Sequence, residues 1–410
     1  MVQSTAYSSS TISTPSSPAT LSLADAVAMA VANSPKLQGA SATIQRTTAA
    51  ARSALAYSNP TIEVYQGRQY ARPIATPGVP GQLQHYAASQ TIEIPSERRA
   101  RERAAKFAVN GSEAARQAVS LSVVSDAKHA FYNTLRRREE IEHAQENLHL
   151  VEDLRRRVEV EVEVGEKGRL ELTRAEAELA RARFDVSSAR LEFANAIALL
   201  RVAIAASADA NLNPQGELEP RMTLPPVKEL REQVLRTHPA VAQTEAEIQS
   251  GRATLDREHA LVIPRPTAFA EFENQPDLRY WRTGVTIPIP LWDRRKGQIE
   301  EAKASIAQSN AILGQRRLEL ISALERAYEQ YQLADQQVTS LESGSMRAAA
   351  SAVDAAKAAY RFGERGIVEV LDAQRVLQSV RGDLLDAQFA RQSAFVDLEE
   401  LGAVVPGAKP

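Results

Sequence analysis

The strongest constraint on this chain is that its second half repeats its first, in chemistry as well as in order. Gly165-Glu166-Lys167-Gly168-Arg169-Leu170-Glu171-Leu172 returns as Gly363-Glu364-Arg365-Gly366-Ile367-Val368-Glu369-Val370, roughly two hundred residues later. Asn33-Ser34-Pro35 returns as Thr237-His238-Pro239, and Pro60 falls at the same offset as Pro264. Thr91-Ile92-Glu93-Ile94-Pro95, followed by basic residues, returns as Thr286-Ile287-Pro288-Ile289-Pro290, again followed by basic residues. Solenoid repeats have periods of about 20 to 50 residues, so this is duplication of a whole architectural unit. Tandem units that pair into rings build walls and channels.

Helical signal fills most of each unit. Leu172, Ala175, Leu179, Ala182, Val186, Ala189, Phe193, Ala196 and Leu200 step by threes and fours. Val370, Ala373, Leu377, Val380, Leu384, Ala387, Ala394 and Leu398 do the same, interrupted by Arg391. Such a seam implies left-handed coiled-coil packing, and its many alanines let helices approach closely. Two proline-free stretches, about 96–164 and 296–362, predict helices of roughly 100 Å each at 1.5 Å per residue. Val158-Glu159-Val160-Glu161-Val162-Glu163-Val164 alternates with period two, which locally says strand; its counterpart before Gly363 reads as helix, so helix is expected in both.

Two islands break this pattern. Residues 59–95 and 264–290 hold much of the Gly/Pro punctuation and many aromatics. In the second, Trp281, Thr283, Val285, Ile287, Ile289 and Leu291 share one face of a strand, and Arg282, Gly284 and Thr286 the other. Each island is sized for two strands of about 9 to 11 residues, the length a tilted strand needs to cross a bilayer. The expected organisation is a disordered extension 1–20, a first repeat 21–206 with its hairpin near 60–95, and a linker 207–226. A second repeat 227–403 with its hairpin near 264–290 and a tail 404–410 complete it.

Composition removes most other functions. The formal net charge is -2, which lacks the cationic footprint that nucleic-acid binding needs. With Cys 0 no disulfide, thiolate chemistry or lipid thioether is expected. The histidines His85, His129, His143, His149, His238 and His259 show no ligand spacing, so neither a metal centre nor any cofactor is expected. No phosphate loop, nucleophile elbow or acid/base pair occurs, so no enzyme is expected. No apolar run reaches the roughly 18 residues of a transmembrane helix. The Ser/Thr-rich start has no apolar signal segment, which leaves open whether a signal peptide has been removed or the protein is cytosolic.

Four strands cannot close a membrane pore, for which eight is the usual minimum, and lipid solvates no free strand edge. Three chains with four strands each would close a twelve-stranded barrel, with the coiled coils continuing as a helical tube. Here the residues carry a resemblance. Tyr360-Arg361-Phe362-Gly363-Glu364-Arg365-Gly366-Ile367-Val368-Glu369-Val370-Leu371-Asp372-Ala373 resembles the second helical-hairpin tip of TolC-type outer-membrane efflux proteins. Residues 165–175 resemble the first tip, with Arg174 where the second has Asp372 and with Glu171 and Glu369 for the commoner aspartate. Ser89-Gln90-Thr91-Ile92-Glu93-Ile94 and the run 284–295 are similar to the heavy-metal, CzcC-like branch.

The resemblance covers about Leu21 to Ala403. It implies a mainly helical, trimeric outer-membrane channel whose helical barrel stands in the periplasm and docks to an adaptor protein and an inner-membrane RND pump. In this branch the cargo is metal cations; organic drugs or solvents are the alternative. Gly165, Gly168, Glu171, Leu172, Gly363, Gly366, Glu369 and Val370 would form the adaptor-docking tips, the glycines supplying left-handed backbone. Asp372, with Arg365, Tyr360 and Arg174, would line the aperture, where three-fold symmetry turns one carboxylate into a cation-favouring ring. Its alternative is a surface aspartate paired with Arg375 or Arg365. Arg98, Arg99, Arg101, Arg103, Arg294, Arg295 and Lys296 open two helices where the dipole disfavours cations; outer-membrane lipid phosphates would compensate. Tyr57, Trp281 and Trp292 would join aromatic girdles. A coiled-coil scaffold predicts the heptads but not the paired strand islands. A periplasmic adaptor has one helical hairpin flanked by lipoyl-like halves, where this chain has two hairpins and no such halves.

Overall fold

The computed structural model describes residues 19–70, 80–218 and 221–404. Their order is β1 (Ala19–Leu21), α1 (Leu23–Asn33), α2 (Pro35–Leu55), β2 (Thr61–Gln69), β3 (Gly81–Thr91), α3 (Pro95–Glu163) and α4 (Arg169–Ala203). After β4 (Leu212–Pro214) the series recurs as α5 (Val227–Thr237), α6 (Pro239–Ala260), β5 (Thr267–Asn274), β6 (Arg279–Thr286), α7 (Lys296–Ser340), α8 (Met346–Arg361) and α9 (Ile367–Glu400). The expected extension enters the fold at its end, since Ala19–Leu21 pairs in parallel with Leu212–Pro214 of the linker; residues 1–18 and 405–410 lie outside the described residues.

The Val158–Val164 stretch is helical to Glu163, because burial follows the helix: Val158 is buried while Val160 and Val164 are exposed. The second long helix departs from expectation. A π-helical turn, Leu341–Ser345, separates α7 from α8. Absence of proline did not suffice, since Gly344 and the flanking serines hold a regular turn weakly.

Two compact units divide the chain, and each takes segments from both repeats. One comprises the residues up to Leu37, Ser120–Glu232 and those from Ser322 on; the other comprises Gln38–Val119 and Gln233–Ile321. In the first, Phe131, Leu135, Leu200, Ile204, Leu230, Leu324 and Leu398 are the buried bulk. The α4 and α9 seams are buried or half-buried throughout. Arg391, which interrupts the α9 seam, is paired at 3.4 Å with the buried Asp335 of α7, and Asp335 also takes Arg221 at 3.0 Å. A polar pair inside an apolar seam fixes register at some cost in stability.

The second unit carries one antiparallel sheet in the order β2-β3-β5-β6. Its strands measure 9 and 11 residues in the first hairpin but 8 and 8 in the second. The second hairpin is shorter than expected because Pro288 and Pro290 have no N–H for a ladder. Ile287, Ile289 and Leu291 therefore lie beyond β6, exposed, rather than on its face. The register aligns Val64, Tyr86, Phe272 and Trp281 in one row across all four strands. Each of these is exposed, Trp281 by 74%. On the opposite face the adjacent rows are Tyr65, His85, Glu273, Tyr280 and Glu63, Ala87, Glu271, Arg282. The first face is apolar and bare along this row and along the row of Ile62, Ala88, Ala270 and Thr283, and turns polar at Gln66, Gln84, Asn274 and Arg279; the other face is mostly polar.

Candidate functional site

At the first tip, α3 ends in a left-handed glycine, Gly165 at φ 84. The Gly165 amide donates to Val162 O at 3.1 Å and the Glu166 amide to Glu161 O at 2.8 Å. The second tip repeats this at Gly363, φ 72, with Gly363 N to Tyr360 O and Glu364 N to Ala359 O, both 3.0 Å. This double closure satisfies the last helical carbonyls and requires positive φ, which glycine adopts without a steric penalty. Gly168 and Gly366 are different. They are the N-caps of α4 and α9 with φ of -83 and -82, so the left-handed role expected of all four glycines belongs only to Gly165 and Gly363.

Glu171 and Glu369 lie in the first turns of α4 and α9, where the helix dipole favours carboxylates. Both reach over the start of α9: a Cβ on Gly366 would stand 3.3 Å from Glu369 Oε2 and 4.0 Å from Glu171 Oε1. Arg365 faces Glu369 at 3.9 Å. Val370 and Tyr360 are buried with Leu154, Val158, Ala175, Ile367 and Leu371, and Leu172 packs against them. Val370 and Tyr360, expected at the docking tip and the aperture, thus pack between the two hairpins. The Tyr360 hydroxyl donates to Glu161 at 2.5 Å. Burial, then that bond, raises the phenol well above its usual range.

Asp372 lies on the exposed side of α9, its side chain 62% accessible and 3.2 Å from Arg375. Arg375 also reaches Glu178 of α4 at 2.7 Å, so it ties the aspartate to both hairpins. Of the two partners considered from sequence, Arg375 is the one in place. Arg174 is exposed and makes no ion pair among the described residues. The Arg375–Glu178 bridge had no signal in sequence, because its members are 197 positions apart.

All four connections between sheet and helices meet at one rim, as the aligned Thr91, Thr267 and Thr286 show. Arg98 lies over the Tyr57 ring at 3.8 Å. Arg101 bonds Ala54 O at 2.5 Å and Glu93 at 2.8 Å, which holds the Glu93 carboxyl below its usual range. Arg103 pairs with Asp256 at 2.8 Å and Arg295 with Glu258 at 2.9 Å. Glu97, fully buried, takes Arg265. Part of the cationic cost expected at these helix starts is therefore met inside the chain. Arg99 and Arg294 remain exposed without an ion pair among the described residues, and Trp292 is 93% exposed.

Comparison with known proteins completes the geometry. The family described as outer membrane efflux protein matches residues 26–206 and 230–403. The cobalt-zinc-cadmium resistance protein CzcC of Cupriavidus metallidurans is 29% identical over 204 residues, covering 47% of this chain and 48% of CzcC. The probable outer membrane lipoprotein SilC of Salmonella typhimurium is 23% identical over 307 residues, 70% of this chain and 64% of SilC. The match thus spans about half of one relative and under two thirds of the other. Among solved structures, CusC gives a TM-score of 0.79 at 20% identity over 92% of this chain and 91% of CusC. VceC of Vibrio cholerae gives 0.79 at 17% identity over 93% and 96%.

Proposed function

Because the chain belongs to the outer membrane efflux protein family, we propose that three copies form a passive outer-membrane conduit that exports heavy-metal cations. The observation that carries this reading is the four-stranded sheet, whose apolar face is bare, whose opposite face is polar, and whose β2 and β6 edges are unpaired among the described residues. In a bilayer such edges must be closed, and twelve strands from three chains close them with the polar face inward.

The helices support the same assembly. On α4, Leu170, Thr173, Ala177, Ala180, Phe184, Ser187, Leu191, Ala194 and Ala198 step by threes and fours and are all exposed. A second heptad seam left exposed among the described residues fits a second copy. Metal cargo is supported by the likeness to CzcC. The exposed side of α9, with Asp372 and Asp383, becomes stacked acidic rings under three-fold symmetry, which favour cations, whereas Asp386 is paired with Arg136 at 2.6 Å. The tips at Gly165 and Gly363 would dock a periplasmic adaptor leading to an RND pump. Arg99, Arg294 and Trp292 would meet lipid headgroups.

The test is single-channel recording of the purified protein in planar bilayers. Asp372→Ala should reduce block by divalent cations from the tip side without abolishing conductance. Identical block in wild type and variant would remove Asp372 from the aperture.

A further inference from the structure

One row of the sheet crosses all four strands on the polar face: Tyr65, His85, Glu273 and Tyr280. The His85 ring stacks on Tyr65, with centroids 4.2 Å apart and planes 11° from parallel. Its side chain is only 10% exposed, and its Nδ1 has no hydrogen-bond partner among the described residues. A buried polar atom left without a partner costs free energy and asks for a ligand. The facing group is Glu273 Oε2 at 4.0 Å. Glu273 is already oriented: Gln275 donates to its Oε1 at 2.7 Å, and the Tyr280 hydroxyl donates to its Oε2.

We propose that His85 and Glu273 form a transit site for a borderline-soft divalent cation, of the zinc, cobalt and cadmium class. Imidazole and carboxylate oxygen bind such an ion at about 2.0–2.2 Å, which in a tetrahedral shell sets the two donors about 3.4 Å apart. Closing the observed gap to that value takes a small side-chain rotation. Tyr280 and Gln275 fix the carboxylate, and the Tyr65 stack fixes the ring, as outer-shell groups do around metal ligands. The nearest cationic side chain in the next row, Arg282, is already paired with Glu271. Among the described residues no three His, Asp or Glu side chains converge on one point. Water therefore completes the shell, and such an ion leaves easily, as conduction requires. An imidazole donor also disfavours magnesium and calcium, which want oxygen cages.

The site rests on the conduit reading for its place on a lumen wall, but binding is a property of one chain. The experiment titrates tag-free, full-length protein in nanodiscs with CoCl2, following the d–d absorption, and repeats it with ZnCl2 by calorimetry. One ion per chain is expected, with no competition from equal MgCl2. His85→Phe, which keeps the stack, and Glu273→Gln should each weaken binding by about tenfold or more with unchanged thermal unfolding. Wild-type affinity in both variants, or no wild-type binding up to about 1 mM, overturns the site. Metal resistance of a deletion strain is read separately. Export without cobalt binding sinks this site alone, whereas cobalt binding without export supports the site and sinks the cargo reading.

Discussion

Helices α4 and α9 stand at the same point of the repeat, each beginning just past a left-handed glycine, yet their exposed faces differ in chemistry. On α4 that face presents Leu170, Phe184 and Leu191, with exposures of 63%, 70% and 61%. On α9 the exposed residues include Asp372, Ser379, Gly382, Asp383 and Asp386, together with Arg375, Val368 and Val376. Their other faces agree, both carrying the apolar seam that packs within the chain. Duplication thus kept what each copy must bury against itself and let the opposite side diverge. An apolar stripe gains about 25 cal/mol per Å² when covered, whereas aspartates lose hydration when covered. One face asks for a partner and the other for water.

The largest expected effect breaks this contrast directly. Phe184→Asp with Leu191→Asp should abolish the trimer in native mass measurement, while Asp383→Ala on α9 should leave it intact. Trimers surviving the double substitution would mean that α4 is not the subunit contact.

A second comparison lies within each tip. Gly363→Val forces a β-branched residue to φ 72, at a cost of about 1–2 kcal/mol confined to the turn. Metal resistance should fall while assembly persists. Gly168→Val, at φ -83 with no neighbour within 4 Å of a new Cβ, should be tolerated. Equal loss in both would show that the turn needs small residues rather than left-handed backbone.

The helix starts of the two repeats differ in pH response. Ser34 Oγ accepts the Leu37 amide at 3.5 Å, whereas in the second repeat His238 Nδ1 accepts the Ala240 amide at 3.2 Å. Burial lowers the His238 pKa below the ordinary imidazole value. The folded state therefore binds fewer protons than the unfolded chain, and the stability from this cap is complete above about pH 6.5 and is lost as pH falls below it. Thermal unfolding of His238→Ser should lose less between pH 7 and pH 5 than wild type. The same acid shift in both would assign it elsewhere.

The smallest effect concerns the far helix ends. Ala205, at φ 50, occupies the turn that Gly402 fills at φ 69, with equivalent closures Ala206 N to Arg201 O and Ala403 N to Leu398 O. Ala205→Gly should stabilise by about 1 kcal/mol by removing the left-handed penalty on alanine, read as a raised melting temperature. A lowered one would show that the Ala205 methyl is needed for packing.

Local periodicity and punctuation determined much of this protein from sequence alone. The seams, the two strand islands, the tip glycines and the repeat itself are patterns within reach of a few turns or strand residues, where backbone geometry dictates spacing. Even there, Pro288 and Pro290 cut β6 short and Gly344 admitted a π turn, because strand and helix ends depend on backbone hydrogen bonds that periodicity does not count. Pairing across the duplication was decided only in three dimensions. His85 meets Glu273, Tyr360 meets Glu161, and Arg375 chooses Glu178 as well as Asp372, each across the gap between repeats. No spacing rule covers contacts about two hundred residues apart, since chain separation sets only the entropy of bringing two groups together. Register and side-chain reach decide which groups then meet. Burial likewise separated the residues of the tips, sending Val370 and Tyr360 inward and leaving Asp372 in water.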